Sequence, residues 1–460
     1  MINPQKKRTT DSKSTKFKYS EISDKIQNSP LLCIRNAMSS TLKLSYTIIR
    51  EGYYHGLLPR EDAAALLTQN GDFLIRISEP TDGAEQNFIL SCMTDDKSKS
   101  NDENPGMQNF VVGFQNGRYL VAENHSFPTI EKLVEFHKKN RIQNIFLNRP
   151  IMRQSWELDH ETVVILKKLG EGAFGEVSMG EYTPKMGGKP VKVAVKQAKP
   201  EKLTKVQIKE FMREARIMKN LSHENVVKFY GVAAVQEPLY MVMELASNGS
   251  LDGYLKKNPD LRPEVYNEMI LQAAWGLEYC HEKNIIHRDM AARNCLYGDR
   301  QVKISDFGLS RPGPSYRMDS SRKVPLRWLA VETLLQYEYS FKSDVWSFGI
   351  VAWEIYMKGI EPYPGMTVAE VNDQVKRGYR MEFPPNTNPE VAKMIMAKCW
   401  AEDPVSRYTM TEAVGFLRDF FGIKRHVPAP NKTRAILQSS RRKGRMPAKT
   451  PKSPGFKAKK

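Results

Sequence analysis

The spacing of apolar side chains changes character several times along the chain. Residues 1 to about 45 scatter theirs among Lys, Ser and Thr with no sustained period, so a mostly disordered segment is expected there. From Tyr53 onward the pattern is regular. Pro59 to Leu67 begins with a proline and carries Ala63, Ala64, Leu66 and Leu67, which predicts a short helix. After the turn Asn70-Gly71-Asp72, the run Phe73 to Ser78 predicts a strand ended by Glu79-Pro80. Further strands are expected over 87–93, 109–114 and 118–121, with the polar stretch 94–107 as an exposed loop. Ile130, Leu133, Val134 and His137 recur at helical spacing within Thr129–Lys139. The sequence beyond is strand-rich to about Glu244 and helix-rich to about Phe421.

These textures divide the chain into a basic tail (1–50), a helix–sheet–helix domain (53–147), a linker (148–155), a larger domain (156–423) and a second basic tail (424–460). With 460 residues and 40% apolar content there is enough material for real cores. No apolar run approaches the ~18 residues a spanning helix needs. The net charge is +18, of which residues 1–50 hold +7 and residues 424–460 hold +13, leaving −2 for the body between them. The basicity therefore belongs to the ends and does not make the body a nucleic-acid binder. Five scattered cysteines (Cys33, Cys92, Cys280, Cys295, Cys399) have no paired metal spacing and fit a reducing compartment.

Chemistry enters at Leu169-Gly170-Glu171-Gly172-Ala173-Phe174-Gly175-Glu176-Val177. Three glycines alone are weak evidence, because dinucleotide folds share the spacing. Here a β-prone stretch follows instead of a helix, and then Val193-Ala194-Val195-Lys196. Strand, glycine loop, strand and a strand-borne lysine suit a phosphate cover, with backbone N–H groups and one cation facing phosphate oxygens. Glu214 lies on an expected helix over 206–219. It is either a solvated charge or the partner that a buried Lys196 requires. His287-Arg288-Asp289-Met290-Ala291-Ala292-Arg293-Asn294 and, twelve residues on, Asp306-Phe307-Gly308 add an Asp placed as a proton acceptor and an Asn/Asp pair suited to a hard divalent cation.

On these motifs residues 156–423 resemble a eukaryotic protein kinase domain. Residues 53–147, with Tyr54-His55-Gly56 and Phe73-Leu74-Ile75-Arg76, resemble an SH2 domain, and the pair in this order resembles the Fes/Fer group of non-receptor tyrosine kinases. The implied fold class is α+β and multidomain: a central antiparallel sheet flanked by two helices, followed by a bilobal kinase. The resemblance implies that Leu169, Gly170, Gly172, Gly175, Val177, Ala194 and Lys196 line the ATP site. Met243 would be its gatekeeper, and Glu244, Leu245 and Ala246 its adenine hinge. It further implies that Glu214 orients Lys196, that Asp289 is the base, and that Asn294 and Asp306 hold Mg²⁺ (or Mn²⁺). Ala291-Ala292-Arg293-Asn294 and Val324-Pro325-Leu326-Arg327-Trp328 resemble the tyrosine-specific forms, with Arg293 at the substrate phenol. Glu332, in Ala330-Val331-Glu332 where the family has Ala-Pro-Glu, would pair with Arg407, and Asp344 would brace the catalytic loop. Tyr316 is either a surface tyrosine or an autophosphorylation switch that recruits Arg288.

Arg76 sits in a strand apolar on both faces, where a guanidinium is costly unless an anion or an internal partner meets it. Its planar fork suits phosphotyrosine, with Arg60 and Ser78 completing the cradle. Asn109 stands where the family has histidine, and Tyr53 where it has tryptophan; the first departure implies weaker phosphotyrosine binding. The expected partners are tyrosine-phosphorylated proteins and tyrosine-bearing substrates, with no nucleic acid. The expected location is the cytoplasm, with the plasma membrane's cytoplasmic face as an added station if the basic tails meet anionic lipid rather than solvent. The rival readings are a catalytically weak SH2–pseudokinase scaffold and a serine/threonine kinase.

Overall fold

The short apolar runs of the first domain fold into a six-stranded sheet, two of whose inner strands, 72–78 and 87–93, are buried almost throughout. The computed structural model describes residues 47–79, 85–95, 106–122, 125–172, 175–184, 188–198, 203–319, 324–385 and 387–424. Helix α1 (Arg60–Leu66) precedes β1 (Asp72–Ser78), β2 (Asn87–Met93), β3 (Met107–Gln115), β4 (Arg118–Ala122) and β5 (His125–Phe127). Helix α2 (Ile130–His137) and β6 (Arg149–Pro150) complete the domain. The order is β5-β4-β3-β2-β1-β6, and the β1–β6 pair is parallel while its neighbours are antiparallel. α2 is capped by the Thr129 hydroxyl and buries Ile130, Leu133, Val134 and His137.

Three boundaries differ from the sequence expectation. β3 begins at Met107 rather than 109, because Met107 is buried on the sheet. The segment read as a linker supplies β6, so the sheet extends past Leu147: Arg149 pairs with the buried carboxylate of Asp72. Ile48, placed in the basic tail, is fully buried in a 3₁₀ turn, Ile48–Arg50. Residues 1–46 and 425–460, which hold most of both tails, and 96–105 of the expected loop lie outside the described residues.

The second domain opens with a five-stranded antiparallel sheet, order β10-β11-β9-β8-β7. Its strands are β7 (Val163–Gly172), β8 (Gly175–Tyr182), β9 (Val191–Ala198), β10 (Phe229–Ala233) and β11 (Tyr240–Glu244). Leu158, Val163, Val193, Val195, Ala233 and Val242 form its core. Between β9 and β10 runs α3 (Lys205–Met218), started by a Thr204–Gln207 capping box.

The helical part follows with α4 (Leu251–Lys257), α5 (Pro263–Glu282), β12 (Ile285–Ile286), β13 (Cys295–Gly298), β14 (Gln301–Ile304), β15 (Arg311–Pro312) and β16 (Ser315–Arg317). Then come α6 (Val331–Gln336), β17 (Glu338–Ser340), α7 (Phe341–Tyr356), α8 (Val368–Lys376), α9 (Pro389–Met394) and α10 (Met410–Phe421). Two-stranded pairs β12–β15, β13–β14 and β16–β17 carry the loops between helices. α7 is buried from Ser343 to Tyr356, so it serves as the internal rod on which those loops are mounted. Residues 415–460 form a separate unit whose described part, 415–424, finishes α10 with Phe416 stacked on Phe420.

The first domain meets the second through main-chain and charged contacts. Leu57 N–H donates to Ala234 O at 2.8 Å and Tyr54 hydroxyl to Val235 O at 3.1 Å. Gly56 has φ +61°, and a Cβ there would lie 2.1 Å from Ala234 O, so only glycine permits this approach. Asp62 on α1 pairs with Arg216 on α3, and Glu61 with Lys209 at 3.5 Å. The helix that carries Glu214 is thus held from outside by the first domain.

Candidate active site

Sheet register sets one side of the candidate site. Lys196 on β9 stands opposite Val177 on β8 and Met241 on β11, and Ala194 stands opposite Met243. Gly172 and Gly175 close the β7–β8 hairpin as cross-strand partners. Gly175 has φ +149°, and a Cβ there would come within 1.9 Å of Gln197 O, so the turn admits no side chain. Residues 173 and 174, the tip of the expected phosphate cover, lie outside the described residues. Glu244 ends β11; its carboxylate meets Lys303 at 3.3 Å and its N–H donates to Lys228 O, with Ala246 two residues on.

Lys196 Nζ reaches both carboxylate oxygens of Glu214, at 3.0 and 2.8 Å, and Asp306 Oδ1 at 3.7 Å. Burial pushes its pKa down, but the two carboxylates outweigh burial and hold the ammonium above its ordinary range. The three residues come from β9, α3 and the loop after β14, so this cluster joins the sheet to the helical part.

The loop that carries residues 287–294 is fixed from below. Asp344 on α7 accepts the backbone N–H groups of His287 and Arg288 at 2.7 and 2.8 Å. That anchoring accompanies φ +70° at Arg288. Asp289 Oδ1 lies 2.5 Å from Arg293 Nη2, and Asn294 Nδ2 donates to Asp289 O at 2.8 Å. Burial raises the Asp289 pKa, opposed by Arg293 and His287. Asn294 O accepts from Ser305 N–H at 2.9 Å, which sets Asn294 beside Asp306, itself at φ +58°.

The Asn294–Asp306 donor set fits a hard divalent cation. Its Nδ2 being engaged, Asn294 offers Oδ1, and Asp306 offers a half-exposed carboxylate. Among the described residues no three-residue His/Cys/Asp/Glu cluster could hold a metal, so waters or phosphate oxygens would complete the shell of such an ion.

Arg293 stacks on Trp328, guanidinium to ring centroid 4.2 Å. Glu332 and Arg407 form a bidentate pair at 2.8 and 2.8 Å. Tyr316 on β16 lies under Arg288 at 4.2 Å and near Arg311 at 5.1 Å.

In the first domain Arg76 is buried, with Nε donating to Ser91 Oγ at 3.0 Å and Nη2 to Asn109 Oδ1 at 3.1 Å. Burial, with Arg60 nearby, pushes its pKa down to about 10, so it stays charged at neutral pH. Ser78, expected in the cradle, is the last residue of β1, paired with Asn87, and its hydroxyl donates to Glu79 O at 3.4 Å. Ser91, rather than Ser78, is the serine hydrogen-bonded to the Arg76 guanidinium. Sequence reasoning missed it, although a lone serine within Phe88-Ile89-Leu90-Ser91-Cys92 was a signal. It also missed Glu354, a carboxylate near the end of the buried α7.

The fold and these two sites define a protein tyrosine kinase that carries an SH2 domain. Residues 163–417 match the family described as protein tyrosine and serine/threonine kinase, and residues 53–137 match the SH2 domain. The chain is 37% identical over 382 residues to Fer-related kinase 1 of Caenorhabditis elegans, covering 81% of this chain and 94% of that protein. Tyrosine-protein kinase Fer of Homo sapiens is 37% identical over 388 residues, 82% of this chain and 45% of that one. The transforming protein Fps of avian sarcoma virus (strain PRCII), a tyrosine-protein kinase, is 34% identical over 370 residues, 78% of this chain and 66% of its own. The chain belongs to the Fer/Fes family of SH2-bearing tyrosine kinases, and it spans under half the length of the human member.

Proposed function

We propose that this chain moves the γ-phosphoryl group of ATP to tyrosine hydroxyls of proteins that its SH2 domain holds by phosphotyrosine. The observation that supports it most directly is Asp289, held at 2.5 Å by an arginine that is itself stacked on Trp328. Asp289 receives the phenol proton while Arg293 and the indole position the ring. Lys196, kept in place by Glu214, meets the nucleotide phosphates beneath Gly170, Gly172 and Gly175, and Leu169, Val177, Ala194, Met243, Glu244 and Ala246 surround the base. Asn294 and Asp306 would hold Mg²⁺, with Mn²⁺ as the alternative, and the ion would neutralise charge on the phosphates. Arg76, aided by Arg60, Ser91 and Asn109, takes the phosphotyrosine.

Tyr316 is read as an autophosphorylation site: a phosphate of about −1.5 to −2 charge would exchange ring stacking on Arg288 and Arg311 for ion pairs. Among the described residues no helix is long and apolar enough to cross a membrane. A cytoplasmic enzyme whose basic tails touch an anionic leaflet fits that observation and the +7 and +13 end charges. Incubation of the purified chain with ATP, Mg²⁺ and a peptide array tests the activity, with Asp289→Asn as control. Transfer to tyrosine that vanishes in Asp289→Asn is expected. Transfer to serine, or equal transfer by the variant, would refute it.

A further inference from the structure

α7 is apolar along most of its buried length, yet it ends with a carboxylate, Glu354, at 3% exposure. Burial pushes its pKa up to about 7. A buried carboxylate facing neutral donors contributes little to stability compared with an apolar side chain of the same size, so its contacts are where a role should be sought. Its Oε2 accepts two hydrogen bonds from different loops: the backbone N–H of Ala292 at 2.9 Å and the indole N–H of Trp328 at 3.0 Å. Ser347 lies seven residues earlier, two turns along the same helical face. Its hydroxyl donates to Trp328 O at 2.8 Å. Trp328 is therefore held by its main chain and its ring from one rigid rod. Arg293 follows Ala292 directly, and its Nη1 is buried without a hydrogen-bond partner among the described residues. Its place depends on the Trp328 face at 4.2 Å and on Asp289 at 2.5 Å.

We infer that Glu354 is a positioning residue for the phenol-accepting site: it locks Trp328 to the backbone at Ala292, so that Arg293 stays between that ring and Asp289. The inference rests on the reading that Asp289 and Arg293 meet the substrate tyrosine. Without Glu354 the indole loses its acceptor and can tilt, and the arginine loses the surface that aligns it. A shift of about an ångström at such a site costs up to 10²-fold in rate. The nucleotide side, built on Lys196, Glu214 and Asp306, shares none of these contacts.

Steady-state kinetics on the full chain test it, varying a tyrosine peptide and ATP separately for wild type, Glu354→Ala, Glu354→Gln, Trp328→Phe and Glu354→Ala/Trp328→Phe. Glu354→Ala should lower kcat/KM for the peptide about 10- to 100-fold while KM for ATP stays within about twofold. Glu354→Gln should recover most of that loss, since its amide oxygen can accept both N–H groups. Trp328→Phe keeps a ring for Arg293 but has no N–H, and should lose about as much as Glu354→Ala. Adding Glu354→Ala to it should cost little more. If the variants with Glu354→Ala do not fold, Trp328→Phe decides. A peptide kcat/KM unmoved in Trp328→Phe, a KM shift for ATP as large as for peptide, or additive losses in the double variant would overturn the inference and leave the kinase reading standing. A wild type that transfers no phosphate would overturn both.

Discussion

Two buried cations, one in each domain, are handled in opposite ways. Lys196 is met by the carboxylate of Glu214 at 2.8 and 3.0 Å and by Asp306 at 3.7 Å, so its charge is balanced inside the chain. Arg76 is at least as deeply buried, yet among the described residues its partners are neutral oxygens of Ser91, Asn109 and Leu58. Burial and the neighbouring Arg60 hold its pKa down to about 10. A compensated cation organises a site that exists before its ligand arrives. One whose hydrogen-bond partners are all neutral, with Glu61 opposing its burial only from a distance, stores a desolvation cost that a dianion relieves on binding, which is the physical basis for reading Arg76 as a receptor for phosphate.

The largest expected contrast comes from removing each charge. Lys196→Met should lower kcat by roughly 10³-fold, and it should also destabilise the fold by about 3–5 kcal/mol because Glu214 is left buried without its cation. Arg76→Met should weaken phosphopeptide binding by roughly 10²- to 10³-fold, the loss of two charge-assisted hydrogen bonds, while costing about 1 kcal/mol or less in stability. Ser91 and Asn109 keep their mutual bond at 2.7 Å, so neither side chain is orphaned, and only the long 3.5 Å contact to Leu58 O is lost besides. Urea unfolding measured beside kinase and fluorescence-anisotropy assays would check both. Equal destabilisation by the two variants would break the distinction.

Glu354 sharpens the comparison as a buried anion whose hydrogen-bond partners are neutral N–H groups. Its pKa is raised from 4.5 to about 7, chiefly by burial. The native state therefore binds more protons than the unfolded state between those values, and stability falls as pH rises through that window. Glutamine cannot titrate. Relative to wild type, Glu354→Gln should gain about 1–3 kcal/mol of stability on going from pH 5 to pH 8, read by urea melts at each pH. A constant difference across that range would mean that Arg293, next to Glu354, already compensates it as Glu214 compensates Lys196.

How much of this was visible in sequence depended on whether a site is assembled locally or across the fold. Asp289, Arg293, Asn294 and Asp306 lie within eighteen positions and carry their spacing with them. Lys196 and Glu214 were legible as a pair because strand and helix patterns were both strong and a buried lysine demands an anion. Ser91 was not, since its contact with Arg76 depends on a β1–β2 register that alternation alone leaves open: Arg76 stands opposite Ile89, and Ser91 is its diagonal neighbour. Glu354 lies far from Ala292 in sequence, and a single carboxylate in an apolar helix reads equally well as a surface residue. Strand β6 was hidden because two residues, one of them proline, carry no periodicity, and only the parallel pairing with β1 makes them a strand.

The smallest effect concerns Asn109, where the family resemblance leads one to expect histidine. Its Oδ1 accepts from both Arg76 Nη2 and Ser91 Oγ, at 3.1 and 2.7 Å, so it competes with an incoming phosphate for the same guanidinium edge. A neutral imidazole offers a single acceptor nitrogen and cannot keep both bonds, so Asn109→His should release Nη2 and add a ring beside the ligand. Phosphopeptide affinity is expected to rise about three- to tenfold, equivalent to about 0.7–1.4 kcal/mol, with up to about 1 kcal/mol of stability lost in the absence of peptide. The opposite result, weaker binding with unchanged stability, would show that Asn109 pre-orients Arg76 for the phosphate rather than occupying it. In that case the neutral partners are themselves part of a preformed site, and the two domains differ less in their strategy than in whether the groups that hold each cation are charged or neutral.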